Sequence, residues 1–392
     1  MKNKKILVIG GGPAGLMAAD VAIRNGLKIT VIDSMPTLGR KFLMAGKSGL
    51  NLTMNEDTLR FKDRIIQDNK LIGKALDEFG PNELIKWVNS LGIETFTGST
   101  GRVFPKSMKA SPLLRKWINQ LVNLGVLLKT RWKLIGISDT TATFQTPEGI
   151  VNETADGIIL ALGGASWPKL GSTGDWQSLF NSDDIESFQP SNCSFLVSWS
   201  LKMSKYFGEP IKSIKLDAGH QSSRGEIMIS KEGIEGGGIY PLSSALRKDL
   251  ELKIDLLPDW SLEKISRLLT LPRGKASYSN ILRKRLKLEP IKQAILREFA
   301  MDAFGDPTLL AKNIKSLRIP LNGTGPMQTA ISTTGGIKLG SIDESFMLRS
   351  HPGVFCAGEM LDWDAPTGGY LLTTCMATGR MAGKFTSQFV SR

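Results

Sequence analysis

The chain has 392 residues and 50 Lys or Arg against 37 Asp or Glu, a formal net charge of +13, and it exceeds the usual size of one hydrophobic core, so two domains or one domain with a large insertion is expected. Its three cysteines, Cys193, Cys356 and Cys375, lie far apart and form no CxxC, which argues against a disulfide framework and a paired-thiol redox centre. No apolar run approaches the roughly 18 residues of a membrane span, and the basic start leads into a glycine turn that a fold needs rather than into a cleavage site, so a soluble cytoplasmic protein is expected.

Lys4 to Asp33 reads as strand, glycine turn, helix, strand. The apolar run Ile6 to Ile9 enters Gly10-Gly11-Gly12-Pro13-Ala14-Gly15, and Ala14 to Arg24 has helical character. Gly10 permits the tight turn, Gly12 lets the backbone approach a pyrophosphate, and Gly15 lets the helix pack closely on the strand while its N-terminal amides face the negative charge. The second strand, Lys28 to Ile32, delivers Asp33, 23 positions after Gly10, near the spacing of about 20 for a ribose-binding acid. The unit reads as a dinucleotide grip of the kind FAD and NAD share, the alternative being a purely structural turn.

A long polar connection follows, Ser34 to Thr53, with Gly39-Arg40-Lys41 and Gly46-Lys47-Ser48-Gly49-Leu50-Asn51; a connection of this length is usually functional. Helices are expected at about Leu71 to Phe79, Pro81 to Leu91 and Pro112 to Leu124, then a strand at Val126 to Lys129. Three alternating runs, near Trp132 to Ile137, Thr141 to Thr146 and Ile150 to Glu153, read as an antiparallel meander. Asp156 to Leu162 is an almost wholly apolar strand, as in a buried parallel sheet, and runs into Gly163-Gly164. From about Gln189 to Ala330 the pattern turns to short strands with Gly and Pro punctuation and interposed helices at Leu262 to Thr270, Asn280 to Lys287 and Pro290 to Ala303, the pattern of an inserted substrate or cap module. The chain closes with a buried strand, Gly353 to Glu359, then Thr367-Gly368-Gly369-Tyr370 and a small-residue helix, Leu372 to Phe389.

The positive charge is concentrated. Arg273 to Arg297 holds eight Lys or Arg against Glu289 alone. A nucleic-acid or anion patch is one reading, but the alternation with Ile281, Leu282, Leu286 and Leu288 favours a solvated amphipathic face, and Tyr278 is the sole aromatic near it in sequence for base stacking.

The late strand ending in Gly358-Glu359, beside a helix that starts with glycines, separates the two cofactors. FAD is long enough to need such a strand for its ribityl chain, and a carboxylate there would meet ribityl hydroxyls. Together with the N-terminal fingerprint, the meander and Gly163-Gly164, this favours a flavin.

The ordered set GGGPAGLMAA, GRKFLMAGKSGLNLT, GRVFPKSMKAS, LALGGASWPKLGSTGDW, TTGGI and GVFCAGEMLDWDAPTGGYLLTTCMATGRMAG resembles the YhiN/BaiN-type flavoproteins, generally described as NAD(P)/FAD-dependent oxidoreductases, some of which are labelled aminoacetone oxidase or bile-acid-related reductase. The resemblance runs nearly end to end. It implies an α/β fold with a glutathione-reductase-like FAD-binding Rossmann domain in two sequence pieces, 1–188 and 331–392. Between them it implies an inserted region, 189–330, with a β-rich, barrel-like part (189–256 and 315–330) and a small helical part (about 257–314).

By that resemblance Gly10, Gly12 and Gly15 hold the pyrophosphate, with Pro13 and Ala14 beside them, and Asp33 holds the adenosine ribose next to Ser34. Arg40, Lys41 and Asn51 lie along the cofactor, Trp132 sits where the adenine meets the backbone, and Gly163 lines the same path. Gly358 and Glu359 meet the ribityl chain, and Gly368, Gly369, Tyr370 and Leu371 the isoalloxazine. Many relatives carry Arg-Cys-Asn where this chain has Ser48-Gly49-Leu50-Asn51, and the missing Cys suggests a subfamily with its own substrate.

Catalytic residues are not assigned by the sequence. His220 and His351 lie outside the glycine motifs, and a surface or core role is the better reading. Lys41 and Lys106 are candidates for holding an anion, although exposure is the commoner fate of lysine. Arg102 is either a carboxylate clamp or the partner of an acid with no part in the chemistry, and Asp362 and Asp364 are either flavin-rim groups or loop caps. No ligand cluster supports a metal. The expected activity is hydride transfer through flavin N5 between a small-molecule substrate and NAD(P)H, a visiting reductant, or another acceptor. A flavin-dependent RNA-modifying enzyme and a non-catalytic flavin-binding protein are the alternatives.

Overall fold

The computed structural model describes residues 4–46, 49–65, 70–248 and 251–392. Lys47 and Ser48 of the glycine-rich connection therefore lie outside the described residues. The chain divides into two compact units, one formed by Met1–Gln189 with Ser332–Arg392 and the other by Pro190–Ile331.

The first unit is built on a five-stranded parallel sheet. Its strands are β1 (Lys5–Ile9), β2 (Lys28–Asp33), β3 (Leu127–Thr130), β4 (Gly157–Leu160) and β5 (Val354–Cys356), in the order β5-β4-β1-β2-β3. β1 is central, with Ile6 opposite both Gly157 and Ile29. Its Ile6–Ile9, and all of β4 and β5, are buried, so these strands carry nearly unbroken apolar runs, as a sheet covered on both faces requires.

Helix α1 (Pro13–Ile23) returns from β1 to β2, and the long closing helix α3 (Tyr370–Val390) lies against it. The contact is close because α3 presents Gly379 and Gly383 one turn apart. A Cβ at these positions would come within 2.2 Å of the Ala14 carbonyl oxygen and 2.5 Å of that of Ala18. The small residues of the last helix are thus a packing requirement.

One difference from the sequence reading concerns the Ser34–Thr53 connection. It contains a short helix, α2 (Arg40–Ala45), which begins after Gly39 in the left-handed region at φ 66°. A leucine side chain, that of Leu114, occupies the space a Cβ at Gly39 would take, so the turn aiming Arg40 and Lys41 needs glycine twice over. The Gly101-Arg102-Val103-Phe104-Pro105 segment supplies the central strand, Arg102–Pro105, of a small sheet with Thr53–Met54 and Thr95–Thr97. The meander forms as expected, Lys133–Ser138, Thr141–Thr146 and Gly149–Thr154, antiparallel throughout.

The second unit has its own hydrophobic core. Six short strands form an antiparallel sheet in the order Phe195–Leu196, Gly233–Glu235, Gln221–Ile229, Pro210–Ala218, Leu252–Asp255, Leu317–Ile319. The two ends of that order meet: the Leu196 N–H donates to Gly323 O and the Asn322 N–H to Leu196 O, each at 2.9 Å. This carries the sheet toward barrel closure. Helices Leu262–Thr270, Tyr278–Leu286, Pro290–Phe299 and Pro307–Lys315 form the helical part.

The basic stretch divides by role. Lys292 is buried and donates to Ser213 O and Leu256 O; burial lowers the pKa of its ammonium. Arg285 donates to the carbonyls of Leu268, Leu271 and Pro272, satisfying acceptors left open at the end of helix Leu262–Thr270. Ile281, Leu282 and Leu286 face the core, which is the amphipathic arrangement, and Arg283, Lys284 and Lys287 are exposed.

Candidate active site

A cavity of about 360 Å³ lies at the carboxyl ends of the parallel strands. Every strand of the sheet contributes to its wall: Gly10 to Ala14 after β1, Asp33 and Ser34 at and after β2, Trp132 after β3, Ala161 to Gly163 after β4, and Ala357 and Glu359 after β5. Because the chain moves from β1 to β2 on one side and β4 lies on the other, the site occupies the crevice where strand order reverses, the place such sheets bind ligands.

The three fingerprint glycines serve different needs. Gly10 has φ 110°, and a Cβ there would lie 2.1 Å from Ala161 O; one at Gly15 would lie 1.9 Å from Gly10 O. Gly12 is the opposite case, since a Cβ would meet no protein atom within 4 Å. Its missing side chain leaves space in the cavity itself. α1 starts at this residue with no side-chain cap and no acid in its first turn, so its amides and dipole are available to an anion.

Asp33 stands at one end of the cavity. Its carboxylate accepts the Gly11 N–H and the Met35 N–H, both at 2.8 Å, which ties the end of β2 to the glycine turn. Burial pushes its carboxyl above the usual range, against the opposing effect of these two amides. The Trp132 N–H donates to Asp33 O at 3.0 Å, and the Lys129 ammonium sits 4.1 Å from the Trp132 ring.

Glu359 stands at the other end. The Lys41 ammonium reaches both its oxygens, at 3.0 and 2.7 Å, and the Ser166 hydroxyl at 2.6 Å. The Thr333 N–H also donates to Glu359, at 3.1 Å. Lys41 is thus half-buried and paired, whereas Lys106 is exposed and pairs with Glu94. Ser166 and Thr333 were not singled out from sequence, although each lies in a quoted motif, LALGGASWPKLGSTGDW and TTGGI; their partners are far along the chain. Cys375 also lines the cavity, but burial drives its thiol far above its usual value, as for Cys356, which disfavours the thiolate form of both.

Of the candidate residues, Gly10, Gly12, Pro13, Ala14, Asp33, Ser34, Arg40, Lys41, Trp132, Gly163 and Glu359 line this cavity. Gly15 and Gly358 lie behind its wall: Gly358 has φ 83°, and a Cβ there would meet the Ala14 methyl at 2.7 Å. Gly368, Gly369, Tyr370 and Leu371 form the N-terminal turn of α3. The Tyr370 side chain points to its own partners, with its hydroxyl 2.6 Å from Glu56 and its ring 4.5 Å from that of Phe61. Asn51 is half-buried between Leu50 and Leu52. His220 is exposed in a hairpin turn and His351 packs against Phe180; neither lines the cavity. Asp362 accepts the N–H of Gly335, 27 positions away, and Asp364 that of the adjacent Ala365. Among the described residues no group of His, Cys, Asp and Glu could hold a metal ion, and no described helix is long and apolar enough to cross a membrane.

The residues present fit an FAD. A dinucleotide needs a dipole end for its pyrophosphate, an acid for its ribose and a late-strand polar group for its ribityl chain, and the cavity offers α1, Asp33 and Glu359 in that role. Among the described residues six buried side-chain polar atoms have no partner within the protein, and Arg40 Nε and Asn51 Oδ1 are two of them, the others belonging to Trp117, Gln221, Ser243 and Thr374. Buried polar groups are rarely left so, and Arg40 and Asn51 are the two of these residues expected along the cofactor.

Comparison with known proteins gives the same frame. A family model described as "HI0933-like protein Rossmann domain" matches residues 4–385. The chain is 24% identical over 413 residues to a 3-dehydro-bile acid delta(4,6)-reductase of Clostridium scindens, covering 97% of this chain and 98% of the relative. It is 24% identical over 390 residues to the ribosomal RNA dihydrouridine synthase of Escherichia coli, covering 94% of each. Among solved structures, a 3-ketosteroid-delta4-(5alpha)-dehydrogenase from Rhodococcus jostii RHA1 superposes with a TM-score of 0.54 at 14% identity, covering 100% of this chain and 97% of that one, which is a likeness of fold. The parallel sheet, the cavity at its switch point and the match over almost the whole length make this chain a member of the HI0933-like family of Rossmann-fold, FAD-dependent oxidoreductases.

Proposed function

We propose that this protein is an FAD-dependent reductase that takes hydride from NAD(P)H and delivers it to a carbon–carbon double bond of a small organic substrate. The observation that carries the reading is the cavity that runs from Asp33, over the uncapped start of α1, to the Lys41–Glu359 pair. The direction of the reaction is supported by the names of the two full-length relatives, since a delta(4,6)-reductase and a dihydrouridine synthase both add hydrogen across a carbon–carbon double bond.

In this reading the amides at the start of α1 bind the pyrophosphate, and Gly12 allows contact because nothing of its own intervenes. Asp33 accepts from ribose hydroxyls with the lone pairs that Gly11 and Met35 leave free. Trp132 and Gly163 flank the path. Lys41 holds the Glu359 carboxylate in one orientation toward the ribityl chain, with Ser166 and Thr333 as supports. Arg40 and Asn51 place their unpartnered atoms on the cofactor, and the backbone of Gly368 to Leu371 presents the start of α3 to the isoalloxazine. When bound, FAD supplies the two-electron carrier whose N5 passes hydride from the nicotinamide to the substrate.

The test is the visible spectrum of the purified protein, followed by anaerobic addition of NADH or NADPH and then of a conjugated enone. Bleaching with one nucleotide and recovery of colour with the enone is the expected sequence. A protein that is colourless and refuses added FAD overturns the reading; a flavin that neither nucleotide bleaches overturns the reductase part of it.

A further inference from the structure

The small sheet of Thr53–Met54, Thr95–Thr97 and Arg102–Pro105 presents one face away from the core of the first unit. Its central strand alternates: Val103 and Pro105 are buried, while Arg102 and Phe104 are half-buried on the other side. Met54 stands opposite Arg102 and Phe96 opposite Phe104 in the antiparallel register, so these four side chains share one face. Phe96 and Phe104 stack with ring centroids 5.8 Å apart, and Phe96 is 41% exposed. On the other flank Arg102 faces Gly98, whose N–H donates to Arg102 O at 2.8 Å, so no side chain stands beside it from that strand. The sequence leaves Arg102 as a carboxylate clamp or as the partner of an acid, and the fold supplies no acid. Among the described residues no hydrogen bond, ion pair or ring contact engages its guanidinium. The acids beside its strands are committed elsewhere: Glu56 to the Tyr370 hydroxyl at 2.6 Å, Asp57 to the Arg60 N–H at 3.0 Å, and Glu94 to Lys106.

We infer that Arg102 holds the carboxylate of an otherwise apolar substrate, and that this face of the sheet carries the body of that molecule. The inference rests on the reductase reading and names the anchor by which its substrate is chosen. A half-buried guanidinium without a counter-charge offers its fork of donors to an incoming group, and that fork matches a carboxylate with two parallel hydrogen bonds. A single cation balances a carboxylate, whereas a phosphate monoester carries about two charges at neutral pH. The apolar surface beside the charge suits a hydrocarbon or aromatic body. Met108, 37% exposed, extends it, since its methyl and the Phe104 ring lie 2.6 and 3.8 Å from the Cβ position of Gly49. The face also adjoins the start of α3, where the reading puts the isoalloxazine. The Met54 methyl lies 3.4 Å from the Cβ position of Gly368, and that of Gly369 falls 2.4 Å from Thr53 Cα. A substrate whose double bond lies at the start of α3 thus extends across Met54 to Arg102. Its acidic end is remote from the bond that is reduced, so Arg102 binds and orients and transfers no proton.

The experiment uses the full-length protein with oxidised FAD bound and two probes: benzalacetone carrying a carboxylate across the ring from its enone, and the methyl ester of that acid. Calorimetric titration gives the affinity for each without NAD(P)H, and bleaching of the flavin by each nucleotide is followed separately. Wild type is expected to bind the acid about tenfold to a hundredfold more tightly than the ester, the range for hydrogen bonds to a charged group. Arg102→Gln is expected to lose that preference while binding the ester as wild type does, which shows that the apolar face is intact. Arg102→Lys, with the charge but without the fork, is expected to regain only part of it. Flavin content and melting temperature of both variants report folding. A wild type that does not prefer the acid, or an Arg102→Gln protein that keeps the preference, overturns the proposal. So does an Arg102→Gln protein that needs more nucleotide for bleaching while its affinity for the acid is unchanged, because the arginine then serves the nucleotide phosphate. A flavin that neither nucleotide bleaches, in a protein whose preference for the acid disappears with Arg102, overturns the reductase reading and upholds the anion site.

Discussion

Lys41 and Glu359, 318 positions apart, meet with the ammonium bonded to both carboxylate oxygens at 3.0 and 2.7 Å. Glu359 is 8% exposed and Lys41 25%. Removing one partner of such a pair strands a charge, at a cost of about 3–5 kcal/mol when both are fully buried. The partial exposure of Lys41 reduces this to about 2 kcal/mol. Lys41→Met is expected to lose that much stability and to bind FAD more weakly, Glu359→Gln likewise, and the double variant to lose much less than the sum. Urea unfolding of the four proteins closes the cycle; strict additivity would mean that the two side chains do not act as a pair.

Gly12 and Gly15 separate binding from folding. Gly12 has φ −83° and an open Cβ position, so Gly12→Ala is expected to melt within a degree or so of wild type while its affinity for FAD drops at least about tenfold. Gly15→Ala pushes a methyl into the Gly10 carbonyl and is expected to be lost to inclusion bodies or to melt far lower. FAD titration by flavin fluorescence, alongside thermal melts, distinguishes the two; normal FAD affinity in Gly12→Ala would remove that residue from the pyrophosphate path.

Asp33 predicts a pH dependence of the FAD-free protein. Burial raises its folded pKa above the unfolded value near 3.8, so the folded state binds the proton more tightly. Its contribution to stability is therefore fully present below the unfolded pKa and is lost as pH rises through the folded one. Asp33→Asn cannot titrate and gives up one of the two amide bonds. It is expected to be less stable than wild type at the acid end, with the gap narrowing as pH climbs. Denaturant midpoints measured across that interval check it, and a gap that widens with pH would reverse the sign assigned to burial.

Tyr370 donates to Glu56 and packs on Phe61, and burial together with the Glu56 charge drives its phenol well above the usual value. Tyr370→Phe is expected to cost about 1 kcal/mol, the worth of one hydrogen bond, while FAD content and the flavin spectrum stay as in wild type. An altered flavin spectrum would show that the hydroxyl reaches the cofactor after all.

The parts of the site legible in the chain are those whose physics is local. Gly15 meets its obstacle, the Gly10 carbonyl, within the same strand–turn–helix unit, Gly10 takes the positive φ that its own turn requires, and Asp33 ends the strand that follows. Helix α2 escaped notice because six residues beginning after a left-handed glycine show too little periodicity to declare themselves. Lys41 is a candidate along the cofactor from the resemblance, but its pairing is not legible in the chain: its partners Ser166 and Glu359 are brought to it only when α2, β4 and β5 assemble.

The sequence by itself determined the nucleotide grip, the parallel sheet around it and the presence of an inserted module, because glycine conformations, apolar runs and strand–helix spacing act between near neighbours in the chain. Only the tertiary structure decided which cations are paired and which are left free, where Tyr370 turns, and which polar atoms are buried without a partner. Those outcomes depend on contacts between segments hundreds of residues apart. Such contacts are set by how the elements pack, and a linear pattern carries no record of which distant charge a given side chain will meet.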